Sequence, residues 1–189
     1  MLTRILAFLL ETAFFVLIAA ALLRAWMNWL RVSMFAQPGS FVMAMTDWLV
    51  KPLRRALPKR LQQARVDWAS VLAAVLMALG YALLWWLLFS VLMGASDAGL
   101  NMVSAIFLVL PVFALKMLLR VTLQTLFMLV LGYAILSWVQ PGSKAYGLLA
   151  RLTEPLLTPL RRVVPTIGGV DLSALVLLVL LQIGMMILI

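Results

Sequence analysis

Pro52-Leu53-Arg54-Arg55-Ala56-Leu57-Pro58 and Pro159-Leu160-Arg161-Arg162-Val163-Val164-Pro165 carry one seven-residue frame twice, 107 residues apart. The same offset pairs Thr46 with Thr153 and Asp47 with Glu154. Upstream, Asn28-Trp29 answers to Ser137-Trp138 at an offset of 109, and downstream Asp67 answers to Asp171 at 104. Small loop insertions shift the offset while the order of landmarks holds, as expected of an internal repeat. Each copy reads as apolar span, basic loop, apolar span.

The segments that flank these frames read as membrane spans. Of the 189 residues, 66% are apolar and 11% charged, and the mean hydropathy is +1.16. A soluble domain of this size needs many more charges to cover its surface. Charge-poor stretches such as Val66–Leu92 and Val121–Trp138 match the ~20 apolar residues that cross a bilayer core. The expected fold class is therefore an all-α membrane protein built from two tandem span–amphipathic helix–span repeats, with about four transmembrane helices.

The first repeat is expected over 1–99, with spans at about 5–30 and 66–92 and a basic loop at 31–65. The second is expected over 100–189, with spans at about 112–139 and 170–189 and a basic loop at 140–169. The start of the chain, Met1–Leu23, has some features of a signal peptide, but Glu11 interrupts its apolar region and it has a counterpart later in the sequence. It is read as a span. Leu100–Leu110 has no counterpart in the first copy and precedes Pro111; an interfacial helix, a re-entrant turn and a kinked extension of the third span all fit it.

Charge position sets the expected topology. Eleven of the fifteen basic residues lie in two loops: Arg31, Lys51, Arg54, Arg55, Lys59, Arg60 and Arg65 in one, Lys144, Arg151, Arg161 and Arg162 in the other. Short cytoplasmic loops collect Lys and Arg, so both loops face the cytoplasm and both termini face outside. The net charge of +9 is then read by position, and no nucleic-acid partner is expected. Trp26, Trp29 and Trp138 fall at the cytoplasmic ends, while Trp85 and Trp86 lie about 27 Å beyond Trp68 along a helix, near the opposite interface. Ala74, Ala78 and Ala82 form a stripe that lets a second helix approach closely.

At 100° per residue Leu49, Leu53, Ala56 and Leu57 share one helical face, with Lys51, Arg54 and Arg55 opposite. Leu156, Leu160, Val163 and Val164 repeat that face against Arg161 and Arg162. Thr158 reads as an N-cap with Pro159 at the first helical position, and Pro58 and Pro165 limit the two helices. Such short basic amphipathic helices suit a membrane interface, where each cation near anionic lipid adds ~1 kcal/mol. Lys51, Arg54, Arg55, Arg161 and Arg162 are the candidate docking residues, either for lipid phosphates in general or for a specific anionic lipid or partner protein.

The frames Pro52–Pro58 and Pro159–Pro165, with Thr153-Glu154-Pro155-Leu156-Leu157 and Gly168-Gly169-Val170-Asp171-Leu172-Ser173, resemble the YggT family, also called YlmG, of bacteria and photosynthetic organelles. The first copy departs from the motif: Lys59–Arg65 replaces the Gly168-Gly169 turn, and Ala69 stands where the second copy has Ser173. The resemblance implies a multi-pass protein of the bacterial inner (plasma) membrane. It also implies association with osmotic tolerance, with cell division or nucleoid distribution, and in organelles with assembly of a haem-bearing cytochrome complex. It supplies no catalytic residue.

With Cys and His both absent, thiolate nucleophiles, Cys/His zinc sites, histidine haem ligands and the usual general base are excluded. The twelve Met residues have no spacing linked to another donor and read as packing residues. No cofactor is expected. Asp67 and Asp171 read as helix caps rather than a carboxylate pair. The expected role is a non-enzymatic membrane scaffold or assembly factor, with anionic lipid, a membrane-protein partner or further copies of the chain as partners; the alternative is an oligomeric ion channel or transporter.

Glu11, Arg24, Lys116 and Arg120 lie in or beside spans, where an ionisable group is a functional candidate by default. Arg24 sits near a span end and is expected to snorkel. Glu11 and Arg120 are repeat-equivalent at 109 residues, so two spans packed about a pseudo-two-fold axis bring them to one depth with opposite charge. An intramembrane Glu11–Arg120 pair is expected, with Lys116 one turn away as the other possible partner. Glu11→Arg and Arg120→Glu should each impair folding and the double exchange should restore it. Folded yield on size exclusion is the measurement, and absence of rescue would count against the pair.

Overall fold

The computed structural model describes residues 2–34, 38–62, 66–92, 105–162 and 172–188. All its regular structure is helical, with no strand among the described residues. The helices are α1 (Leu2–Trp29), α2 (Gly39–Ala56), α3 (Lys59–Gln62), α4 (Trp68–Leu92), α5 (Leu110–Val139), α6 (Lys144–Arg161) and α7 (Leu172–Leu188). By contact the chain divides into two units, Met1–Val121 and Thr122–Ile189, and the boundary falls within α5.

Three segments are long and apolar enough to cross a membrane: Arg4–Trp29, Trp68–Leu88 and Phe107–Val139. Their composition explains their continuity. The 28 residues of α1 contain neither Gly nor Pro, and Pro111 falls where a π-helical turn joins α5, removing one helical N–H there. The π-helical residues Ala105–Val109 run directly into α5. The third long segment therefore begins before the expected 112, and the described part of 100–111 continues it. The fourth apolar helix, α7, has 17 residues, about 26 Å at 1.5 Å per residue against a core ~30 Å thick.

In the first unit Ile18 and Ala21 of α1 pack with Ala74, Ala78 and Ala82 of α4, all at most 1% exposed. Alanine removes side-chain bulk from that seam, so the two helices approach closely. Leu110, Ala114, Met117 and Val121 complete this core. In the second unit Val130, Tyr133, Leu157, Ala174, Leu177 and Leu181 form the core. Large apolar side chains remain outside, among them Phe8, Leu108, Leu115, Leu180 and Ile187.

The helix ends follow local chemistry. Arg31 has φ 54°, its N–H bonds to Asn28 O and the Val32 N–H reaches Met27 O, a Schellman closure normally given to glycine. Leu57 after α2 is extended, φ −74° and ψ 144°, as the following Pro58 demands. Ser143 caps α6, its hydroxyl accepting from Tyr146 N–H at 3.1 Å.

That cap corrects the expected start of the second amphipathic helix. Thr158 is no N-cap; it lies inside α6 and its hydroxyl donates to Glu154 O at 2.7 Å. Pro52, Pro155 and Pro159 likewise lie inside helices. Each removes one backbone hydrogen bond, but Pro52 and Pro159 sit on exposed faces, so the buried face of each helix is spared. The Pro-Leu-Arg-Arg frames are therefore helix C-termini. Arg54, Arg55 and Arg161 stand in last turns, where cations complement the helix dipole. Ala56, expected on the buried face of α2, is exposed.

Two backbone positions give opposite predictions. Arg31→Gly should stabilise the detergent-solubilised protein by about 0.5–1 kcal/mol, because the left-handed conformation is costly for Arg. Gly39→Ala should destabilise by about 1–2 kcal/mol, since its Cβ would lie 2.6 Å from Met34 Cα. Denaturant unfolding followed by tryptophan fluorescence measures both.

Candidate functional site

Polar side chains concentrate where amphipathic α2 meets the ends of α1 and α4. Arg24, in the last two turns of α1, is only 5% exposed. A buried guanidinium needs acceptors, and α2 supplies two. Arg24 Nη1 donates to Thr46 Oγ1 and to Asp47 Oδ1, both at 2.8 Å. Thr46, itself fully buried, donates its hydroxyl hydrogen bond to Val42 O at 2.7 Å. Lys51 Nζ reaches Asp47 Oδ2 at 2.7 Å, so Asp47 is held between two cations. The Lys51 ammonium, followed by the Arg24 guanidinium, holds this carboxyl below its ordinary value of 3.8, against the opposing effect of burial. Arg24 does not snorkel, because α2 folds back beside it with acceptors at the right height.

The far end of α2 is tied to the start of α4. Arg54 Nη2 lies 2.6 Å from Asp67 Oδ2, and the Ser70 hydroxyl donates to the same oxygen at 2.9 Å. The Asp67 backbone carbonyl accepts the Ser70 and Val71 amides. The Asp67 backbone carbonyl thus opens α4, while its carboxylate accepts from Arg54 and from the Ser70 hydroxyl. Val50, Ala69 and Ala73 close the apolar side of this junction. A cavity of about 190 Å³ opens beside it, lined in part by Asn28, Arg54, Gln62 and Asp67.

In the second unit Arg161 Nη2 donates to the Tyr133 hydroxyl at 2.8 Å, and Tyr133 stacks on Tyr146 with ring centroids 5.5 Å apart. Thr153 is fully buried and donates to Leu149 O at 2.8 Å. Tyr133 stands 109 residues after Arg24. Hydropathy marks Arg24 only as a charge beside a span and gives no signal for Tyr133; the recurrence of Thr46-Asp47 as Thr153-Glu154 is the signal that points to the junction.

Arg120 Nη1 and Glu11 Oε1 lie 2.9 Å apart, their side chains 51% and 39% exposed. Among the described residues Lys116 has no carboxylate partner. Of the candidate docking cations, Lys51 and Arg54 are paired within the fold, and Arg161 bonds Tyr133. Arg55 and Arg162 are exposed and have no carboxylate within reach among the described residues. Pro52 is internal to α2, Pro58 follows it, and Pro159 is internal to α6. Pro165, Gly168, Gly169 and Asp171 lie outside the described residues.

An all-helical chain with three membrane-length apolar helices and two basic amphipathic ones is the class that this geometry defines. The sequence profile of the CCB3/YggT family matches residues 3–88 and 112–189, and the chain belongs to that family. It is 35% identical over 177 residues to an uncharacterized protein in the proC 3' region of Vibrio alginolyticus, covering 93% of this chain and 89% of the relative. It is 31% identical over 179 residues to the uncharacterized protein YggT of Escherichia coli K12, covering 94% and 86%. An uncharacterized protein of Haemophilus influenzae is 33% identical over 161 residues, covering 85% and 78%. No solved structure matches.

The Arg24 junction gives an ordered prediction. Asp47→Asn leaves buried Arg24 without its counter-charge and should cost about 2 kcal/mol, whereas Arg24→Leu leaves Asp47 with Lys51 and should cost about 1. Because the folded carboxyl titrates below 3.8, its contribution is complete above that value and is lost as pH falls through the lower folded one. Denaturant midpoints measured downward from neutral pH should therefore fall more steeply for the wild type than for Asp47→Asn.

Proposed function

We propose that this protein is a non-enzymatic scaffold or assembly factor of the bacterial inner membrane, whose two basic amphipathic helices lie at the cytoplasmic interface and engage anionic lipid or a partner protein. The observation that carries this reading is the construction of α2 and α6. Each is 18 residues long, buries one face through a central Thr at 0% exposure, and carries an exposed Arg at its C-terminal end, Arg55 in α2 and Arg162 just after α6. Helices anchored this firmly on one side present their cations as a fixed surface.

Membrane placement is supported by the coat of exposed Phe and Leu on the long helices, which is costly in water and favourable in hydrocarbon. Four spans with both termini outside keep both basic loops on one side. A tandem repeat is supported by equivalent burial. Thr46 and Thr153, and Val50 and Leu157, are all at most 1% exposed and stand 107 residues apart. The family profile also leaves 89–111 unmatched, a gap that includes Leu100–Leu110, the segment without a counterpart in the first copy.

The same frame moves Glu11 away from mid-membrane. It lies 18 residues before Trp29, about 27 Å along α1, so with Trp29 at the inner interface the Glu11–Arg120 pair falls near the outer one. Headgroups and water reach a half-exposed pair there, and its worth drops to about 1 kcal/mol. A role in specifying helix assembly at the outer rim follows, in preference to lining an ion path.

Flotation with vesicles separates the readings. Arg55→Gln with Arg162→Gln should weaken binding of a detergent-free amphipathic-helix peptide pair, or lipid retention by the whole protein, about tenfold for phosphatidylglycerol and leave phosphatidylcholine unchanged. Ion flux through reconstituted wild-type protein, lost on Glu11→Gln or Arg120→Gln, would overturn the scaffold reading in favour of a channel.

A further inference from the structure

The cavity between the end of α1, the end of α2 and the start of α4 has the chemistry of a zwitterion site. Its volume is about 190 Å³, below the ~300–1,000 Å³ of pockets for drug-sized molecules. Its polar walls are Asn28, Arg54, Gln62 and Asp67, and Leu57 and Leu61 supply an apolar side. Both charges in it are already paired with one another, Arg54 Nη2 to Asp67 Oδ2 at 2.6 Å. The lining is therefore neutral overall, with separated poles.

A simple anion entering the cavity meets the Asp67 carboxylate, whose side chain is only 6% exposed and cannot be screened by water. A simple cation meets the Arg54 guanidinium. A ligand that carries both signs satisfies both poles. Arg54 commits one nitrogen to Asp67 and keeps further N–H donors, with its side chain 48% exposed; these suit a phosphate. The bonds from Arg54 and Ser70 both end on Asp67 Oδ2, so among the described residues Oδ1 remains as acceptor for a primary ammonium. Gln62 Nε2 bonds Leu57 O, which holds that side chain at the rim.

We infer that this cavity binds the phosphoethanolamine headgroup of a membrane lipid, phosphate on Arg54 and ammonium on Asp67. The inference rests on the membrane placement proposed above. Position selects a lipid over a soluble phosphoamine: Asn28 adjoins Trp29, whose ring packs on Trp26 at 5.2 Å, and tryptophans of this kind mark the headgroup level. Leu57 and Leu61 then face the glycerol and the first methylenes.

Native mass spectrometry of the whole protein, with equimolar phosphatidylethanolamine, phosphatidylglycerol and phosphatidylcholine in detergent, tests this. One phosphatidylethanolamine should be retained about tenfold over phosphatidylcholine, whose quaternary ammonium offers Asp67 no N–H, and over phosphatidylglycerol. Arg54→Gln with Asp67→Asn, which removes both poles together and leaves neither charge unpaired, should reduce that preference to near unity in protein that still elutes as the folded species on size exclusion. Arg55→Gln with Arg162→Gln should leave it unchanged, so failure of the interfacial-cation reading is seen separately. Equal retention of the three lipids, a preference that survives the cavity substitutions, or full displacement by soluble glycerophosphoethanolamine would each overturn the assignment.

Discussion

A guanidinium buried at the end of an apolar helix cannot be left without acceptors, and Arg24 imposes that requirement on everything around it. At 5% exposure it has no route to water, so α2 must lie beside the end of α1 and bring Thr46 and Asp47 to the correct height. Once α2 is seated by its middle, its C-terminal turn falls beside the start of α4, where Arg54 meets Asp67 at 2.6 Å. Two ion pairs, one at each end of the stretch of α2 from Asp47 to Arg54, thus join three helices that hydrophobic packing alone would let slide.

The apolar contacts fit this frame. Ala74, Ala78 and Ala82 allow α1 and α4 to pack closely, and dispersion between smooth helix faces has little orientational preference. Directional bonds at the helix ends supply it. In the second unit the sequence position that answers to Arg24 holds Tyr133, which receives a bond from Arg161. There the cation comes from the amphipathic helix and the neutral acceptor from the long one, the reverse of the Arg24 arrangement. A buried Thr bonded to the carbonyl four residues earlier is common to both.

Particular residues separate what was legible in the sequence from what was not. Hydropathy located the long helices to within a few residues, because an uninterrupted apolar run without Pro has one stable backbone solution in a nonpolar medium. The 109-residue offset singled out Glu11 and Arg120, and their side chains lie 2.9 Å apart. The start of α6 is not legible in the sequence: Thr158-Pro159 reads as a helix opening, whereas the helix begins at Lys144 and carries Pro159 on an exposed face. The burial of Arg24 was also missed. Periodicity along one helix carries no information about which neighbour stands opposite.

By itself, then, the sequence determined the all-helical class, the long apolar segments, the two basic amphipathic stretches and the family, all of which depend on residues near one another in the chain or on recurring order. Tertiary structure alone decided that Arg24 is buried, that Arg54 turns to Asp67 instead of outward, and that a neutral polar cavity opens between them. Those outcomes depend on the distance between helices separated by loops, and a charge's role as anchor or docking group is set by that distance rather than by its identity.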